Sequence, residues 1–332
     1  MAAHEQPALS IVIPCYNEAE VLPLLRERLT QALDKLRLTW EVVLVDDGSG
    51  DTTFAQLTAA HRADARFKAV ALSRNFGHQA AICAGLAHAT GDAVAIMDAD
   101  LQDPPEILGS CLEKLRGGFD VVYAVRRKRK ENILLRCAYA IFYRLLKSIA
   151  EIEIPLDSGD FCVVNRNVAD VLRRMPERNV FLRGLRAWSG FRQTGLEYER
   201  AARAAGETKY PFRKLLRLAL DGVFAFSTAP LRLATYLGFT VVLAALGTGL
   251  FIVSWRLAGF SFMGHTAHEL PGWTAVVGAA LFFGGVQLLI LGILGEYLAR
   301  IYAEVKQRPR WVVRETLGVT PAPDAPSAGL KP

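Results

Sequence analysis

Ala93-Val94-Ala95-Ile96-Met97-Asp98-Ala99-Asp100-Leu101-Gln102-Asp103-Pro104-Pro105 passes from an apolar run straight into carboxylates and a proline pair. The apolar part reads as a buried strand, which puts Asp98, Asp100 and Asp103 at its mouth. Carboxylates at a partly dry strand end cost free energy unless something positive sits beside them. A hard divalent cation held by oxygen ligands, its other positions filled by a diphosphate, meets that need. Pro104-Pro105 then suits a helix start, since a first-turn proline gives up no intrahelical bond.

On either side the same pattern repeats. Leu9–Ile13, Glu41–Val45, Lys68–Leu72 and Asp120–Ala124 read as further strands. Helical stretches alternate with them at Glu18–Leu36, Thr52–Ala63, His78–Ala89 and Pro105–Arg116, with Asn17 and Asp51 as candidate N-caps. Such alternation specifies an α/β domain whose parallel sheet is covered on both faces. Ligands of open α/β sheets sit at the carboxyl ends of strands. Three of those ends are polar here: Pro14-Cys15-Tyr16-Asn17-Glu18, Asp46-Asp47-Gly48-Ser49 and Asp98 to Asp103. Their convergence points to a nucleotide-activated substrate.

Of 332 residues, 52% are hydrophobic, and the excess falls after about Leu231. Leu233–Trp255 and Gly272–Gly295 contain no charged residue, and each is long enough to cross a bilayer. Gly247, Gly249, Gly284, Gly285, Gly292 and Gly295 would allow close helix packing there. Basic residues flank the pair on the outside, from Arg213, Lys214, Arg217 and Arg232 to Arg300, Lys306, Arg308, Arg310 and Arg314. The positive-inside rule therefore places both termini in the cytoplasm. Two basic amphipathic stretches, Glu131–Ala150 and Tyr210–Phe226, suit either the headgroup layer or the protein's own core.

A formal charge of +6 favours an anionic partner such as lipid headgroups or phosphates. No zinc-finger, homeodomain or RNP signature is present, so no nucleic acid is expected. The five cysteines are scattered without a CxxC pair, which favours reduced thiols over disulfides or zinc. Met1 to Leu9 has no basic or apolar run, so no cleaved signal peptide is expected. Gly318–Pro332, rich in proline and alanine, reads as a disordered tail.

Taken together, Ile13-Pro14-Cys15-Tyr16-Asn17-Glu18, Val45-Asp46-Asp47-Gly48-Ser49-Gly50-Asp51-Thr52, Arg74-Asn75-Phe76-Gly77 and Asp98-Ala99-Asp100-Leu101-Gln102 resemble the motifs of the family 2 glycosyltransferases of the GT-A fold. Asp157-Ser158-Gly159-Asp160-Phe161, Gly206-Glu207-Thr208-Lys209-Tyr210-Pro211 and the two spans narrow the resemblance to polyprenyl-phosphate glycosyltransferases related to dolichol-phosphate mannose synthase. Met175-Pro176-Glu177-Arg178 and Phe181-Leu182-Arg183-Gly184 fit the bactoprenol glucosyltransferase type. The resemblance covers about residues 8 to 315.

It implies a Rossmann-like GT-A core over residues 1–130 that binds a nucleotide sugar. An acceptor-side region with amphipathic interface helices (131–230), two transmembrane helices (231–300) and a basic juxtamembrane segment with the tail (301–332) would follow. The implied enzyme is a multi-pass protein of the bacterial inner membrane. It would move glucose from UDP-glucose to undecaprenyl phosphate with inversion, using Mg²⁺ or Mn²⁺. N-acetylglucosamine, mannose or aminoarabinose could replace glucose, and a homo-oligomer built through the spans is compatible with the resemblance.

Asp100, with Gln102 and Asp98, would hold the metal. Asp46 would read the base, while Pro14, Tyr16 and Glu18 contact base and ribose and Asp98 completes the donor site. Asp47 serves either the Gly48-Ser49 turn or the ligand. Arg74 and Asn75 are open in the same way. Of Asp157 and Asp160, Asp160 fits the family's base-like aspartate better. The acceptor phosphate monoester has a second pKa near 6 and is already ionised at neutral pH, so Asp160 would orient the acceptor or balance charge rather than take a proton. Arg126 and Lys209 are the candidate cations for that phosphate. Cys162 stands where many relatives carry arginine, which would leave Arg166 or Lys209 to compensate.

Three rivals carry less weight. Gln307-Arg308-Pro309-Arg310-Trp311 matches the Gln-x-x-Arg-Trp motif of processive synthases, but it follows the last span and is read as coincidence. No GxGxxG follows the first strand, against a nicotinamide enzyme. Intact Asp98, Asp100 and Gln102 argue against a catalytically dead membrane scaffold.

Overall fold

The computed structural model describes residues 6–126, 158–178, 180–198, 228–258 and 272–319. The two amphipathic stretches at 131–150 and 210–226, together with Asp157 and Lys209, lie outside them. The described residues belong to two compact units, one bearing the sheet and resuming at Arg308, the other spanning Arg217–Gln307.

The first unit alternates as the hydrophobic pattern dictates. Its elements begin with β1 (Leu9–Cys15), α1 (Leu22–Lys35), β2 (Trp40–Asp46), α2 (Thr53–Ala63), β3 (Phe67–Leu72), α3 (His78–His88) and β4 (Ala93–Ile96). A 3-10 turn (Pro105–Ile107) leads into α4 (Leu108–Arg116), followed by β5 (Val121–Arg126). β6 (Ser158–Asn165), α5 (Arg166–Arg174), α6 (Leu182–Trp188) and β7 (Gln193–Tyr198) complete the region before the apolar helices. A last strand, β8 (Val313–Leu317), follows those helices.

Among the described residues the sheet has eight strands in the order β7-β5-β6-β4-β1-β2-β3-β8. β4, β1, β2 and β3 are parallel, and β5 pairs parallel with β7. β6 runs against β4 and β5, and β8 runs against β3. This is the Rossmann-like GT-A arrangement that the resemblance implies. β1 and β2 are buried along their whole length, as expected of strands covered on both faces. Ile11, Ile13, Val42 and Leu44 face a core with α1, α2 and α4, whereas Val43, Val45, Val70 and Leu72 meet α3. Gly85 lets α3 lie flat on the sheet, because a Cβ there would come within 2.3 Å of Val12 Cγ1.

The sequence expectation differs from the structure at the helix starts. Neither Asn17 nor Asp51 occupies a cap position; Val21 and Thr52 do. Asn17 braces the loop at Gly50 instead, while Asp51 accepts both the Ala19 N–H and the N–H of Thr53, the first residue of α2. β8 also forms within the segment expected to be a basic juxtamembrane stretch, because Val313 and its neighbours cover the open edge of β3.

At the amino edge of the sheet, Glu41 is buried and accepts hydrogen bonds from Ser10 Oγ, Lys68 Nζ and the Thr90 N–H. Burial alone would raise its carboxyl, but Lys68, Ser10 and Thr90 more than offset this and hold it below the ordinary range. A carboxyl lowered in the folded state stabilises above its unfolded pKa and loses that contribution as pH falls through the folded value. Glu41→Gln should therefore cost about 3 kcal/mol at neutral pH. In thermal melts the two proteins should converge only as pH falls below the ordinary glutamate range, through the lowered value of Glu41.

The second unit contains α7 (Ala229–Ala258) and α8 (Gly272–Val305). Apolar windows of 27 and 30 residues within them are long enough to cross a membrane. Leu233, Phe239, Leu250, Leu281 and Leu288 are exposed along these helices. The span glycines do not sit at the contact between them: a Cβ added at Gly247, Gly249, Gly284, Gly285, Gly292 or Gly295 would meet nothing, whereas Gly238 faces Ile290.

Candidate active site

Every functional candidate among the described residues traces to one geometric fact. Six strands end at the same edge of the sheet, while β6 begins there. Antiparallel pairing aligns Ile96 of β4 with Cys162 of β6, so extending the register by two residues sets Asp98 opposite Asp160. The first turn of α3 reaches the same place. His78 Nε2 lies 3.4 Å from Asp98 Oδ1 and 3.6 Å from Asp160 Oδ2. Gln79 Nε2 donates to Asp160 Oδ2, while its Oε1 accepts the Leu182 N–H and so ties α3 to the start of α6. From α6, Arg183 Nε donates to Asp160 Oδ1 at 2.6 Å.

The charges are strongly coupled. Burial raises the Asp98 carboxyl to about 6; His78 opposes the rise, and Asp160, Asp100 and Asp103 add to it. Burial would raise Asp160 too, but His78 and Arg183 hold it far below the usual carboxylate range. His78 is pushed up by Asp160 and Asp98 against its own burial. Asp160 is thus an ionised carboxylate with a fixed cationic partner, and Asp98 is short of positive charge.

The Asp98–Asp103 loop is held in place on both sides. Leu101, buried, adopts a left-handed backbone with φ 57°, a conformation costly for a branched side chain. Asp100 Oδ1 accepts the Gln102 N–H, and Gln102 itself is buried. Asp103 is buried and bonded to the Tyr198 hydroxyl, which pins the loop to the end of β7. Among the described residues no three His, Cys, Asp or Glu side chains form a ready-made metal cage. Asp98 and Asp100 still fit a Mg²⁺-like ion, which takes one or two protein carboxylates and fills its remaining positions with phosphate and water. Burial first, and then the neighbouring carboxylates, raise Asp98, and such an ion would offset that charge.

The β1 and β2 ends form a second, braced pocket wall. Asn17, left-handed at φ 55°, accepts the Gly50 N–H at its Oδ1 and donates its own backbone N–H to Ser49 Oγ. The Glu18 N–H donates to Thr53 Oγ1 and the Ala19 N–H to Asp51. Pro14 is buried in β1, while Tyr16 is half exposed at the rim. Asp46 is fully buried; its Oδ1 accepts the Ser49 N–H, and its Oδ2 has no hydrogen-bond partner. Asp47 accepts the Phe76 and Gly77 N–H groups and so clasps the Arg74–Gly77 loop, the structural of its two readings. Gly48, at φ 68°, sits so near that loop that a Cβ would lie 2.4 Å from the Arg74 carbonyl carbon. Arg74 stacks on Phe76.

One expectation for the acceptor side changes. Arg166 cannot stand in for the arginine missing at Cys162. It follows β6, so the antiparallel strand carries it to the opposite edge, where it donates to the Ala89 and Gly91 carbonyls and pairs with Asp170. Cys162 is buried, and its thiol meets Arg186, a buried guanidinium three residues after Arg183 on the same helix face. Arg126 closes β5, with its side chain outside the described residues. Cys15, Cys83, Cys111 and Cys162 are free and buried, in keeping with reduced, inert thiols.

Sequence reasoning missed His78, Arg183 and Arg186. Arg183 stood in a quoted motif, but His78 follows Arg74–Gly77 with nothing local to mark it.

Residues 10–173 match glycosyl transferase family 2. The chain is 44% identical over 323 residues to YkcC, an uncharacterized glycosyltransferase of Bacillus subtilis, covering 96% of each chain. It is 36% identical over 307 residues to the prophage bactoprenol glucosyl transferase homolog of Escherichia coli, covering 92% of this chain and 98% of that one. To the SfII prophage-derived bactoprenol glucosyl transferase of Shigella flexneri it is 37% identical over 309 residues, covering 93% and 98%.

Proposed function

The chain belongs to glycosyl transferase family 2 and is a glycosyltransferase of the GT-A fold, and from that premise we propose that it moves glucose from UDP-glucose onto undecaprenyl phosphate at the cytoplasmic leaflet. The observation that carries this reading is the meeting of Asp98 and Asp160 at one imidazole, which puts a donor-side and an acceptor-side carboxylate in a single site. The bactoprenol glucosyl transferases of phage and prophage, alike over more than nine-tenths of the chain, support a polyprenyl phosphate acceptor. The length and apolar surface of α7 and α8 support a membrane setting.

In this reading Asp46 Oδ2 accepts the ring N–H of the base, with Pro14, Tyr16 and Glu18 bordering base and ribose. Asp98 and Asp100, with Gln102 beside them, would hold Mg²⁺ or Mn²⁺, which when bound would supply Lewis-acid charge for the departing nucleoside diphosphate. The acceptor phosphate oxygen attacks the anomeric carbon in line as the bond to the diphosphate breaks, so the configuration inverts. Asp160 stays ionised and fixes Arg183 as a cation for the incoming phosphate, and Arg126 and Lys209 are the further cations that the sequence offers for it. His78 bridges the two halves.

The test is transfer of labelled glucose from UDP-glucose into organic-extractable lipid by the purified protein with undecaprenyl phosphate and Mg²⁺. Mild-acid-labile lipid label that disappears with chelator is the expected result. Label supplied only by another nucleotide sugar would reassign the donor, and no transfer from any of them would overturn the reading.

A further inference from the structure

Both reversed strands start at the carboxyl edge of the sheet. β6 brings Asp160 there, and β8 brings Arg314. The pairing of β8 with β3 matches Leu72 to Val313 and Ala71 to Glu315, so Arg314 is the extra residue of a β-bulge. Bulges re-aim side chains and recur beside active sites. The Ser73 N–H donates to the Val312 carbonyl just before the bulge and holds the strand's entry in place. The Arg314 guanidinium lies over the Phe54 ring of α2, with Nη2 3.8 Å from Asp46 Oδ2.

That oxygen is the second observation. Asp46 is 0% exposed, yet its Oδ2 takes no hydrogen bond, and 3.8 Å to Arg314 is too long for one. A buried carboxylate oxygen left without a donor is costly, which marks a place that a ligand's donor completes. Arg314 is half exposed beside it, so an acceptor and a cationic donor stand together at one rim. The matching chemistry is a ring N–H adjacent to a carbonyl, as in uracil. Cytosine keeps the 2-carbonyl but has a bare ring nitrogen and an amino group in place of the 4-carbonyl, so it mismatches Asp46 and an Arg314 set against the 4-position.

We infer that Arg314 is a specificity residue of the donor site, donating to the base carbonyl next to the N–H that Asp46 accepts. The inference rests on the reading of Asp46 as the base contact. It makes the strand that follows the two apolar helices part of the nucleotide pocket.

Calorimetric binding of UDP and CDP to the full-length protein with Mg²⁺ tests it. Arg314→Ala should weaken UDP about tenfold, the loss of one charge-assisted hydrogen bond. The preference for UDP over CDP should fall by a similar factor, with kcat at saturating donor within about twofold. Arg314→Lys, which keeps charge but not the planar fork, should recover part of the affinity. Glu315→Ala, on the same strand, should change neither quantity; a comparable loss of preference there would assign the effect to strand pairing and overturn the inference. If Asp46→Asn weakens UDP while Arg314→Ala leaves affinity and preference intact, Arg314 is excluded and the base contact stands. If Asp46→Asn leaves UDP binding unchanged, the base contact fails and takes Arg314 with it.

Discussion

Asp160→Asn should lower transfer about 10³-fold while leaving the KM for donor within about twofold and the basic limb of the pH–rate profile unmoved. The carboxylate it removes is tied to Arg183 at 2.6 Å and lies 3.6 Å from His78. Both partners favour its ionised form and hold its pKa far below the ordinary range. A carboxylate that releases its proton so readily is a poor general base, because proton transfer is most efficient near the working pH. The acceptor phosphate needs none, being mostly ionised above its second pKa of about 6. In the proposed reaction Asp160 contributes orientation and charge balance. Arg183→Ala should then reproduce most of the loss, and the double variant should be little worse than either single one. A basic limb that shifts in Asp160→Asn, or losses that simply multiply in the double variant, would restore proton abstraction as its role.

The parts of this site differ in how visible they are in one dimension. Asp46, Asp98 and Asp100 follow apolar runs, and the rule that ligands gather at carboxyl ends of parallel strands finds them directly. Asp160 is different, because it lies at the start of β6, and only the reversed direction of that strand brings it to the same edge as Asp98. The same reversal defeats the assignment of Arg166 to the acceptor side. A few residues along an antiparallel strand separate a catalytic edge from the opposite one, and composition carries no sign of strand direction. His78 and Arg183 are brought in by tertiary packing of α3 and α6, which leaves no local pattern.

For the fold, β1 to β4 were readable because each is a continuous apolar run, and their boundaries differ from expectation by only a residue or two. β8 was not. Val313-Arg314-Glu315-Thr316-Leu317 is charged at its centre, as suits a strand with one side open to solvent, and that composition reads equally as a basic tail. Trp311, set aside with the Gln-x-x-Arg-Trp match, packs on the Val43–Val45–Val70 face of the core and anchors the chain's return to the sheet. Asn17 and Asp51 show the same limit at short range. Each has the chemistry of a cap, but Asn17 is claimed by the loop bond to Gly50, and Asp51, one residue before the cap position, divides its carboxylate between Thr53 at the start of α2 and Ala19.

Asp98→Ala and Asp100→Ala should each reduce transfer by about 10³-fold, the scale of losing a preorganised charge-stabilising group, and each should abolish the enhancement of UDP binding by Mg²⁺. Asp103→Ala should behave differently although it belongs to the same acidic run. Its carboxylate is buried and bonded to the Tyr198 hydroxyl, so removing it should lower the melting temperature and loosen donor binding without ending the response to Mg²⁺. Asp98 is the carboxylate that burial and its acidic neighbours push up to about 6, so a cation bound beside it would hold it ionised. If a metal were merely structural, all three variants would lose stability together and UDP binding would keep its Mg²⁺ response. If the acidic run served only to shape the loop, Asp103→Ala would be the most damaging of the three. Titrating Mg²⁺ into each variant at fixed UDP therefore separates a metal-holding pair from a structural acid within one eight-residue stretch, Asp98 to Pro105.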